Sequence, residues 1–386
     1  MNPFAFNTTA GMRFGGGIAG TLGEIAAGRL GKSVLFITDS GLVTIGLCAP
    51  AIASLEAAGC KVTVFDQVEA DPSLATLMTA TETANAVNAS GVVGFGGGSS
   101  MDVAKLAALL AGSKEDIDAA WGVGNAKGPR LPLVLVPTTA GTGSEVTPVS
   151  IITVSGDEKR GVSSPVILPD LAILDPDLTL GLPASITAAT GIDAMVHAIE
   201  AYASKSANNN PMSRMLAVEA LRLLGANIET AVTNGRDINA RSSMLLGSML
   251  AGQAFANSPV AAVHALAYPV GGIFHVPHGL SNALVLPHVL RFNAPEAAHL
   301  YAELAPHAFP DIDVSAGAQG VCAEFIERLA ALSADLGLKT RLREVGVGEN
   351  DLPRMAADAM KQTRLLVNNP REVTQSDALS IYKAAY

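Results

Sequence analysis

A long stretch without charged side chains is the feature that most restricts how this chain can fold. Between Ser242 and Leu290 there is no Asp, Glu, Lys or Arg. Prolines at positions 259, 269, 277 and 287 divide the stretch. No predominantly apolar helix of the ~20 residues needed to cross a bilayer fits between those prolines. The stretch therefore predicts helices that are buried inside a large protein, and it argues against a membrane span.

Length and charge restrict the domain number and the possible partners. The chain has 386 residues, more than the ~250–300 at which a single core stops growing, so we expect two domains. It carries 35 acidic against 25 basic side chains, which argues against nucleic acid or an anionic membrane surface as a partner. Three widely spaced cysteines without a CxxC pair, and no signal-peptide pattern, indicate reduced thiols in a cytoplasmic protein.

The first half of the chain alternates β-branched runs with helical segments rich in Ala and Leu. The predicted strands are Ser33–Thr38, Lys61–Phe65, Gly91–Phe95 and Leu131–Val136, and the predicted helices between them cover 47–59, 73–88 and 101–111. This alternation predicts a parallel sheet with helices on both faces and with ligands at the carboxyl ends of its strands.

Strand signals stop after residues 168–176, and the periodicity is helical from about Pro183 onward. The predicted helices cover 184–205, 211–232, 237–257, 260–269, 278–292, 295–305 and 315–336. We therefore expect an α/β half, residues 1–180, followed by an all-helical half, residues 181–386.

A glycine loop follows the third predicted strand. Three glycines, two of them Gly97 and Gly98, lead into a helix that Ser99 or Ser100 would cap. Backbone without side chains lets a phosphate approach closely, and the free N–H groups of a helix start attract the anion. The alternative is a tight turn without a ligand. The spacing is not GxGxxG, so it does not predict a standard dinucleotide fingerprint.

A second polar loop, residues 137–145, follows the strand Leu131–Val136 directly. It reads Pro-Thr-Thr-Ala-Gly-Thr-Gly-Ser-Glu and places the hydroxyls of Thr138, Thr139 and Thr142 at the carboxyl end of a strand. Such a loop can contact a pyrophosphate, a ribose or an amide, although a ligand-free polar turn would read the same way.

One carboxylate and three imidazoles form a candidate metal-ligand set. Asp193 and His197 are four residues apart on a predicted helix, so they share one face of it. His264 lies inside the uncharged stretch, and His278 precedes Gly279 at the start of another predicted helix. Iron or zinc in the divalent state suits this set. The alternative is that each histidine is a hydrogen-bonded core residue.

Together, these motifs resemble those of the iron-containing (group III) alcohol dehydrogenase family. The resemblance covers nearly the whole chain, in order. It implies a dinucleotide-binding α/β domain, a helical domain that binds the metal, and a catalytic cleft between them, in a dehydroquinate synthase-like architecture. It also implies that Asp193, His197, His264 and His278 hold one divalent metal, Fe²⁺ before Zn²⁺.

The resemblance also implies a set of nicotinamide-cofactor contacts. These are Asp39, Gly97, Gly98, Ser99, Asp102, Thr138, Thr139, Thr142 and Lys159. In the family, an aspartate at the position of Asp39 lies near the adenosine ribose. A carboxylate there would accept hydrogen bonds from the ribose of NAD and repel the 2′-phosphate of NADP, so we expect NAD. The alternative is that Asp39 caps its own turn.

The implied reaction is metal-dependent hydride transfer between NAD(H) and a small neutral alcohol or aldehyde. A neutral substrate is favoured because the uncharged stretch offers no cation to bind a carboxylate. Many relatives have a second histidine one helical turn after the third ligand, where this chain has Tyr268. Tyr268 and His275 are therefore the candidates for a proton relay. A homodimer is also expected, because the chain is poor in charge and dimers are common in the family.

Three other functions would explain parts of the pattern. The first is a metal-independent reductase of the same superfamily that acts on a maleylacetate-like oxo-acid, which would lack the intact ligand set. The second is a dehydroquinate synthase-like lyase, which would need several cations for a phosphorylated polyol. The third is a non-catalytic binding protein, which would have no reason to keep a glycine loop together with four ligand residues.

Overall fold

The computed structural model describes residues 3–155 and 158–386, and these form two compact units. The α/β unit comprises Asn7–Thr139 and Gly143–Leu180. The helical unit comprises Gly181–Tyr386, the short segment Ala140–Thr142 and, at the start of the described part of the chain, residues 3–6.

A six-stranded parallel sheet forms the centre of the α/β unit. The strands of this unit are β1 (Met12–Phe14), β2 (Ser33–Ile37), β3 (Lys61–Phe65), β4 (Gly91–Gly96), β5 (Gly122–Val123), β6 (Leu133–Pro137), β7 (Val149–Ser155), β8 (Glu158–Ser163) and β9 (Leu171–Leu174). The sheet has the order β1-β9-β6-β4-β2-β3, with every neighbouring pair parallel. The predicted parallel α/β fold is therefore confirmed.

Helices cover both faces of this sheet, as the pattern predicts. The helices of the unit are α1 (Leu22–Leu30), α2 (Ser40–Thr44), α3 (Ala49–Ala57), α4 (Leu74–Ala86), α5 (Gly98–Ser113) and α6 (Ile117–Ala120). Leu35 and Ile37 of β2 pack into one apolar core with α4 and α5, whereas Val34 and Phe36 pack into another with α1 and α3. Alternate residues of one strand thus serve opposite faces.

The sequence-based predictions for the α/β unit miss the helices α1 and α6, the strand β1 and a second, smaller sheet. Strands β7 and β8 form an antiparallel hairpin that joins β5 in a separate three-stranded sheet. The charged run at 157–160 interrupts the apolar alternation of this hairpin, so no strand signal arises there. Strand β1 has only three residues and is recognisable only through its pairing with β9.

Two glycines at the end of β4 set the path of the chain into α5. A Cβ on Gly94 would lie 2.6 Å from the Cβ of Ala104, so the helix packs against the strand at a distance that only glycine permits. Gly96 has a φ of 147°, a conformation that other residues rarely adopt. Close helix packing and a sharp turn therefore explain both residues without a ligand.

Residues 181–386, all of which the structure describes, contain no β-strand, which agrees with the predicted helical half. The helices are α7 (Ala184–Ala203), α8 (Pro211–Thr233), α9 (Ile238–Asn257), α10 (Ala262–Phe274), α11 (His278–Ala308), α12 (Gly317–Asp335), α13 (Leu352–Ala359), α14 (Thr363–Leu366) and α15 (Gln375–Ala385). None of the helices in the described part of the chain has the length and hydropathy that a membrane crossing requires.

Several predicted helix boundaries near prolines are wrong. Helix α11 continues through Pro295, where two separate helices were expected, and α10 continues through Pro269 to Phe274. A proline removes only its own hydrogen bond and disturbs one turn, and packing can outweigh that cost. Residues on both sides of Pro295 are buried, Asn293 and Ala297 among them, so the helix remains continuous.

Candidate metal centre

The four predicted ligand residues come together within the helical unit. Helix α7 presents Asp193 and His197 on one face, α10 presents His264, and α11 begins with His278. One ligand atom from each residue lies within 4.8 Å of those of the other three. Three of the residues are buried and His278 is partly exposed.

The Nε2 atoms of two histidines point toward the carboxylate. The Nε2 of His278 lies 3.6 Å from the Oδ1 of Asp193, and the Nε2 of His264 lies 4.0 Å from the same oxygen. The rings of His197 and His264 stack with their centroids 4.7 Å apart. The cluster is therefore a compact group of nitrogen and oxygen atoms.

Hydrogen bonds on the outer side of the cluster select the tautomer of two histidines. The Nδ1 of His197 lies 3.3 Å from the carbonyl oxygen of Gly141, and the Nδ1 of His264 lies 2.6 Å from a carboxylate oxygen of Glu200. Carbonyl and carboxylate oxygens accept hydrogen bonds, so Nδ1 carries the proton in both rings. The Nε2 lone pairs are consequently available to a metal.

Burial keeps His197 neutral. It lowers the pKa of the His197 imidazole to about 3, although Asp193 opposes this shift. Burial alone would raise the pKa of the Asp193 carboxyl, but the three histidines and a hydrogen bond from Asn282 hold that pKa below its usual value. A charged carboxylate beside neutral imidazole is the protonation state that metal binding requires.

The cluster has more acceptors than donors. The Nδ2 of Asn282 donates to the Oδ1 of Asp193 at 2.6 Å and lies 3.3 Å from the Nε2 of both His264 and His278. One amide has two hydrogens for the carboxylate and for the two imidazole nitrogens that lie beside it. Among the described residues, the Oδ1 of Asn282 is buried without a hydrogen-bond partner. A surplus of lone pairs in a buried site fits a cation, and this donor set suits Fe²⁺ or Zn²⁺.

Two residues at this site are missing from the sequence-based set. Glu200 lies on the same face of α7 as Asp193 and His197, at the seventh and third positions after them. Asn282 lies one turn after His278 on α11. The helical spacing that identified Asp193 and His197 could have found both.

The two relay candidates differ in their surroundings. The ring of Tyr268 lies 6.3 Å from that of His278, and its hydroxyl accepts a hydrogen bond of 3.2 Å from the Nη2 of Arg364. His275 ends α10 in the left-handed conformation, with its side chain exposed. Arg364 belongs to α14, so a cation from outside the uncharged stretch does reach this region.

The glycine loop of the α/β unit leads directly into α5. Helix α5 starts at Gly98, with Gly97 as its N-cap and no side-chain cap, so the predicted start at residue 101 after a serine cap is wrong. Gly98 and Ser99 thus lie in the first turn, where backbone N–H groups have no partner within the helix. These groups can bind an anion.

Asp102 and Lys105 of α5 stabilise the neighbouring turn, residues 143–149, through hydrogen bonds. The carboxylate of Asp102 accepts hydrogen bonds from the Oγ of Ser144 at 2.7 Å and from the N of Ile151 at 2.9 Å. The fully buried Nζ of Lys105 donates to the same Oγ and to the carbonyl oxygen of Val149, each at 2.7 Å. Burial lowers the pKa of Lys105 to about 8, although Asp102 and Glu145 oppose this.

The remaining predicted cofactor contacts lie on loops and strands of both units. Thr138 is buried, and its N donates to the carbonyl oxygen of Gly96 at 3.0 Å, so the two loops of the α/β unit are bonded together. Thr139 follows it in the same unit, whereas Thr142 belongs to the segment counted with the helical unit. The ammonium of Lys159, on β8, forms an ion pair with Asp71.

Asp39 acts as the N-cap of α2 and accepts a hydrogen bond of 3.0 Å from the N of Leu42 on its Oδ1. Asp39 therefore caps its own turn, as the alternative interpretation expected, and it uses one carboxylate oxygen to do so. A capping role and a contact to a ribose do not exclude each other, because a carboxylate has two oxygens.

Known proteins match along nearly the whole chain. Residues 9–176 match the iron-containing alcohol dehydrogenase family, and residues 187–386 match the C-terminal domain of the Fe-containing alcohol dehydrogenase family. Long-chain-alcohol dehydrogenase 1 of Geobacillus thermodenitrificans is 42% identical over 366 residues, which cover 93% of this chain and 91% of that protein.

Two solved structures are similar over the full length. The structure of 1,3-propanediol oxidoreductase matches with a TM-score of 0.95 at 34% identity and covers 100% of both chains. The sulfoacetaldehyde reductase of Bifidobacterium kashiwanohense, solved in complex with NAD⁺, matches with a TM-score of 0.87 at 29% identity. That match covers 99% of this chain and 98% of the other.

Proposed function

Because this chain belongs to the iron-containing alcohol dehydrogenase family and is an oxidoreductase, we propose that it transfers hydride between NAD(H) and a small neutral alcohol or aldehyde. The observation that carries this proposal is the buried cluster of one carboxylate and three imidazoles. The matched families give no support to a metal-independent reductase or to a dehydroquinate synthase-like lyase.

In this proposal, Asp193, His197, His264 and His278 hold one divalent metal ion, Fe²⁺ before Zn²⁺. When bound, such an ion supplies Lewis acidity, which makes a carbonyl a better hydride acceptor and an alcohol a stronger acid. The support within the chain is the protonation state of the donors, because an ionised Asp193 and a neutral His197 both offer lone pairs. The burial of Asp193, His197 and His264 limits the access of water to three of these four side chains.

Tyr268 is the proposed proton relay, with His275 as the second candidate. The phenol of Tyr268 lies beside His278, and its hydrogen bond from Arg364 fixes the position of its oxygen. His275 is exposed at the end of α10, so it has access to bulk water for the same proton.

In this proposal, the two halves of the chain bind different ligands. Residues 1–180 bind the dinucleotide through Asp39, Gly97, Gly98, Ser99, Asp102, Thr138, Thr139, Thr142 and Lys159, although Thr142 groups with the helical unit. Residues 181–386 hold the metal and the substrate. The first turn of α5 supports this role, because its free N–H groups can receive a pyrophosphate. The internal hydrogen bonds of Asp102 favour positioning of the loop over direct contact for that residue.

We also propose that the protein works in the cytoplasm as a homodimer. The three cysteines are buried and free, as in proteins of reducing compartments. Sedimentation at micromolar concentration tests the dimer, and a monomer there would contradict it.

The test of the function combines metal analysis with kinetics. We expect the purified protein to contain one divalent metal per chain and to reduce small aldehydes with NADH. Asp193→Ala and His264→Ala should each abolish turnover and lower metal occupancy, while NAD binding stays nearly unchanged. Full turnover after exhaustive chelation, with no metal detected, would contradict the proposal.

A further inference from the structure

Glu200 is a buried carboxylate at the edge of the metal cluster. Its side chain is 4% exposed, and it lies on α7 together with Asp193 and His197. One carboxylate oxygen lies 2.6 Å from the Nδ1 of His264, and the other accepts a hydrogen bond of 2.7 Å from the N of Val263. Both oxygens thus engage consecutive residues of a different helix.

The bond to Val263 holds the start of α10. This helix begins at Ala262, and its N-cap, Ala261, provides no side-chain hydrogen bond. The first N–H groups of a helix need acceptors from outside it, and a negative charge at that end is favourable. Glu200, on α7, supplies the acceptor and the negative charge. It therefore connects the beginning of α10 to the helix that carries Asp193 and His197.

The bond to His264 holds the ring itself. With Nδ1–H donating to Glu200, the ring can rotate little, and its Nε2 faces Asp193 and His278. A carboxylate in this position also raises the basicity of the opposite nitrogen. His197, in contrast, has the neutral carbonyl of Gly141 as its partner, at the longer distance of 3.3 Å.

We propose that Glu200 is a positioning residue for the metal. It positions His264 in two ways, through the backbone at the start of α10 and through the imidazole ring. It also selects the tautomer in which the Nε2 carries no proton. The proposal depends on the metal site of the proposed function. It adds that metal affinity depends on a residue outside the ligand set.

The decisive variant is Glu200→Gln. An amide has one acceptor atom where Glu200 uses two, so one of its two hydrogen bonds is lost while the shape of the side chain is retained. We expect Zn²⁺ to bind about 10- to 100-fold more weakly, measured by competition with a chromogenic chelator. The thermal midpoint of unfolding is measured for the metal-free variant and for the metal-free unmodified protein. This comparison separates an effect on metal binding from an effect on folding.

Glu303→Gln is the matched control. Glu303 of α11 accepts a hydrogen bond of 2.5 Å from the hydroxyl of Tyr202 on α7, so it also joins two helices of the same unit. This variant should bind Zn²⁺ as tightly as the unmodified protein. A loss in Glu200→Gln alone supports the proposal, and an equal loss in both variants overturns it.

A second measurement needs no variant. Nitrogen NMR of the metal-free protein should show His264 protonated at Nδ1 and unprotonated at Nε2, and the opposite tautomer would overturn the proposal. Unchanged Zn²⁺ affinity in Glu200→Gln would overturn it too, with the proposed function intact. Failure of the unmodified protein to bind any divalent metal would overturn the proposed function and this inference together.

Discussion

Three of the four side chains in the metal cluster depend on a neighbouring residue that orients them. Asn282 binds the carboxylate of Asp193, Gly141 binds the ring of His197, and Glu200 binds the ring of His264. The Asp-x-x-x-His spacing predicts the first two ligands from helical geometry alone. The same spacing marks Glu200 and Asn282 as residues on the faces of the ligand residues, but it does not predict which partner each one binds, because these hydrogen bonds join segments that are 56 to 89 residues apart in the sequence.

The choice of cofactor is predicted to depend on the charge of Asp39. Asp39→Asn keeps an N-cap of equal quality for α2, so folding should be unaffected while the carboxylate charge is lost. We expect the ratio of kcat/KM for NAD to kcat/KM for NADP to fall by about tenfold or more, since repulsion of the 2′-phosphate disappears. Asp39→Gly should act in the same direction. An unchanged ratio would show that Asp39 only caps the helix.

The room around Gly97 allows a substitution that tests phosphate binding without disturbing the packing of the loop. A Cβ on Gly97 would meet its nearest neighbour, a side-chain atom of Thr139, at 3.8 Å, which is an ordinary contact. Gly97→Ala should therefore cost no more than about 1 kcal/mol of stability, while the added methyl group blocks the approach of the pyrophosphate. We expect a clear loss of NAD affinity by calorimetry.

Gly94→Ala is the contrasting variant, because its Cβ would lie 2.6 Å from the Cβ of Ala104. This change should lower the thermal midpoint. If Gly97→Ala binds NAD normally, the loop is only a turn.

At the scale of elements, the sequence predicts the main strands and helices but not every boundary. Short β-branched runs predict the strand Ser33–Thr38, which the structure ends at Ile37, and the strand Lys61–Phe65, whereas the 3.6-residue period predicts most of the helices. The hairpin of β7 and β8 and the continuity of α11 depend on tertiary contacts. A local pattern therefore cannot predict them.

Helix α5 and the turn that follows β6 are predicted to behave as one element, joined by Lys105. Lys105→Met removes the donor to Ser144 and Val149 and leaves the partly buried carboxylate of Asp102 without its cation. We expect a loss of about 3 kcal/mol in the free energy of unfolding, measured with urea, together with weaker NAD binding. The control is Lys61→Met, because Lys61 is exposed on β3. Equal stability of the two variants would contradict a bracing role for Lys105.

At the scale of the whole molecule, the charge pattern and the alternation of strands and helices predict both the class of fold and the two halves of the chain. The uncharged stretch correctly predicts buried helices, since His264, Leu266 and Leu286 are buried. The expectation that this stretch itself offers no cation for a carboxylate concerns residues 242–290 alone. Arg364 lies outside the stretch and hydrogen-bonds to Tyr268 from a helix almost a hundred residues later in the sequence.

Acid should destabilise the protein partly through His288. Burial, with Arg291 and Arg341, lowers the pKa of this imidazole from 6.5 to about 4, despite the opposing effect of Glu327. The unfolded chain therefore binds a proton at a pH where the folded chain does not, so stability is lost as the pH falls from 6.5 to 4. After allowance for its partial exposure to water, we expect His288 to contribute about 2 kcal/mol of this loss.

His288→Gln should reduce the fall in stability across that pH range, measured by urea unfolding at several pH values. The exposed His299 provides the control, and His299→Gln should leave the pH dependence as it is. Identical pH profiles for His288→Gln and the unmodified protein would contradict the prediction.

The four ligand side chains are unequally covered, and this bears on the kinetics of metal exchange. The side chain of His278 is 36% exposed, whereas those of His264 and Asp193 are 4% and 2% exposed. We expect a metal ion to enter and leave the site on the His278 side. The lifetime of the metal-loaded protein would then depend on the first turn of α11, and chelators would reach the ion by the same route.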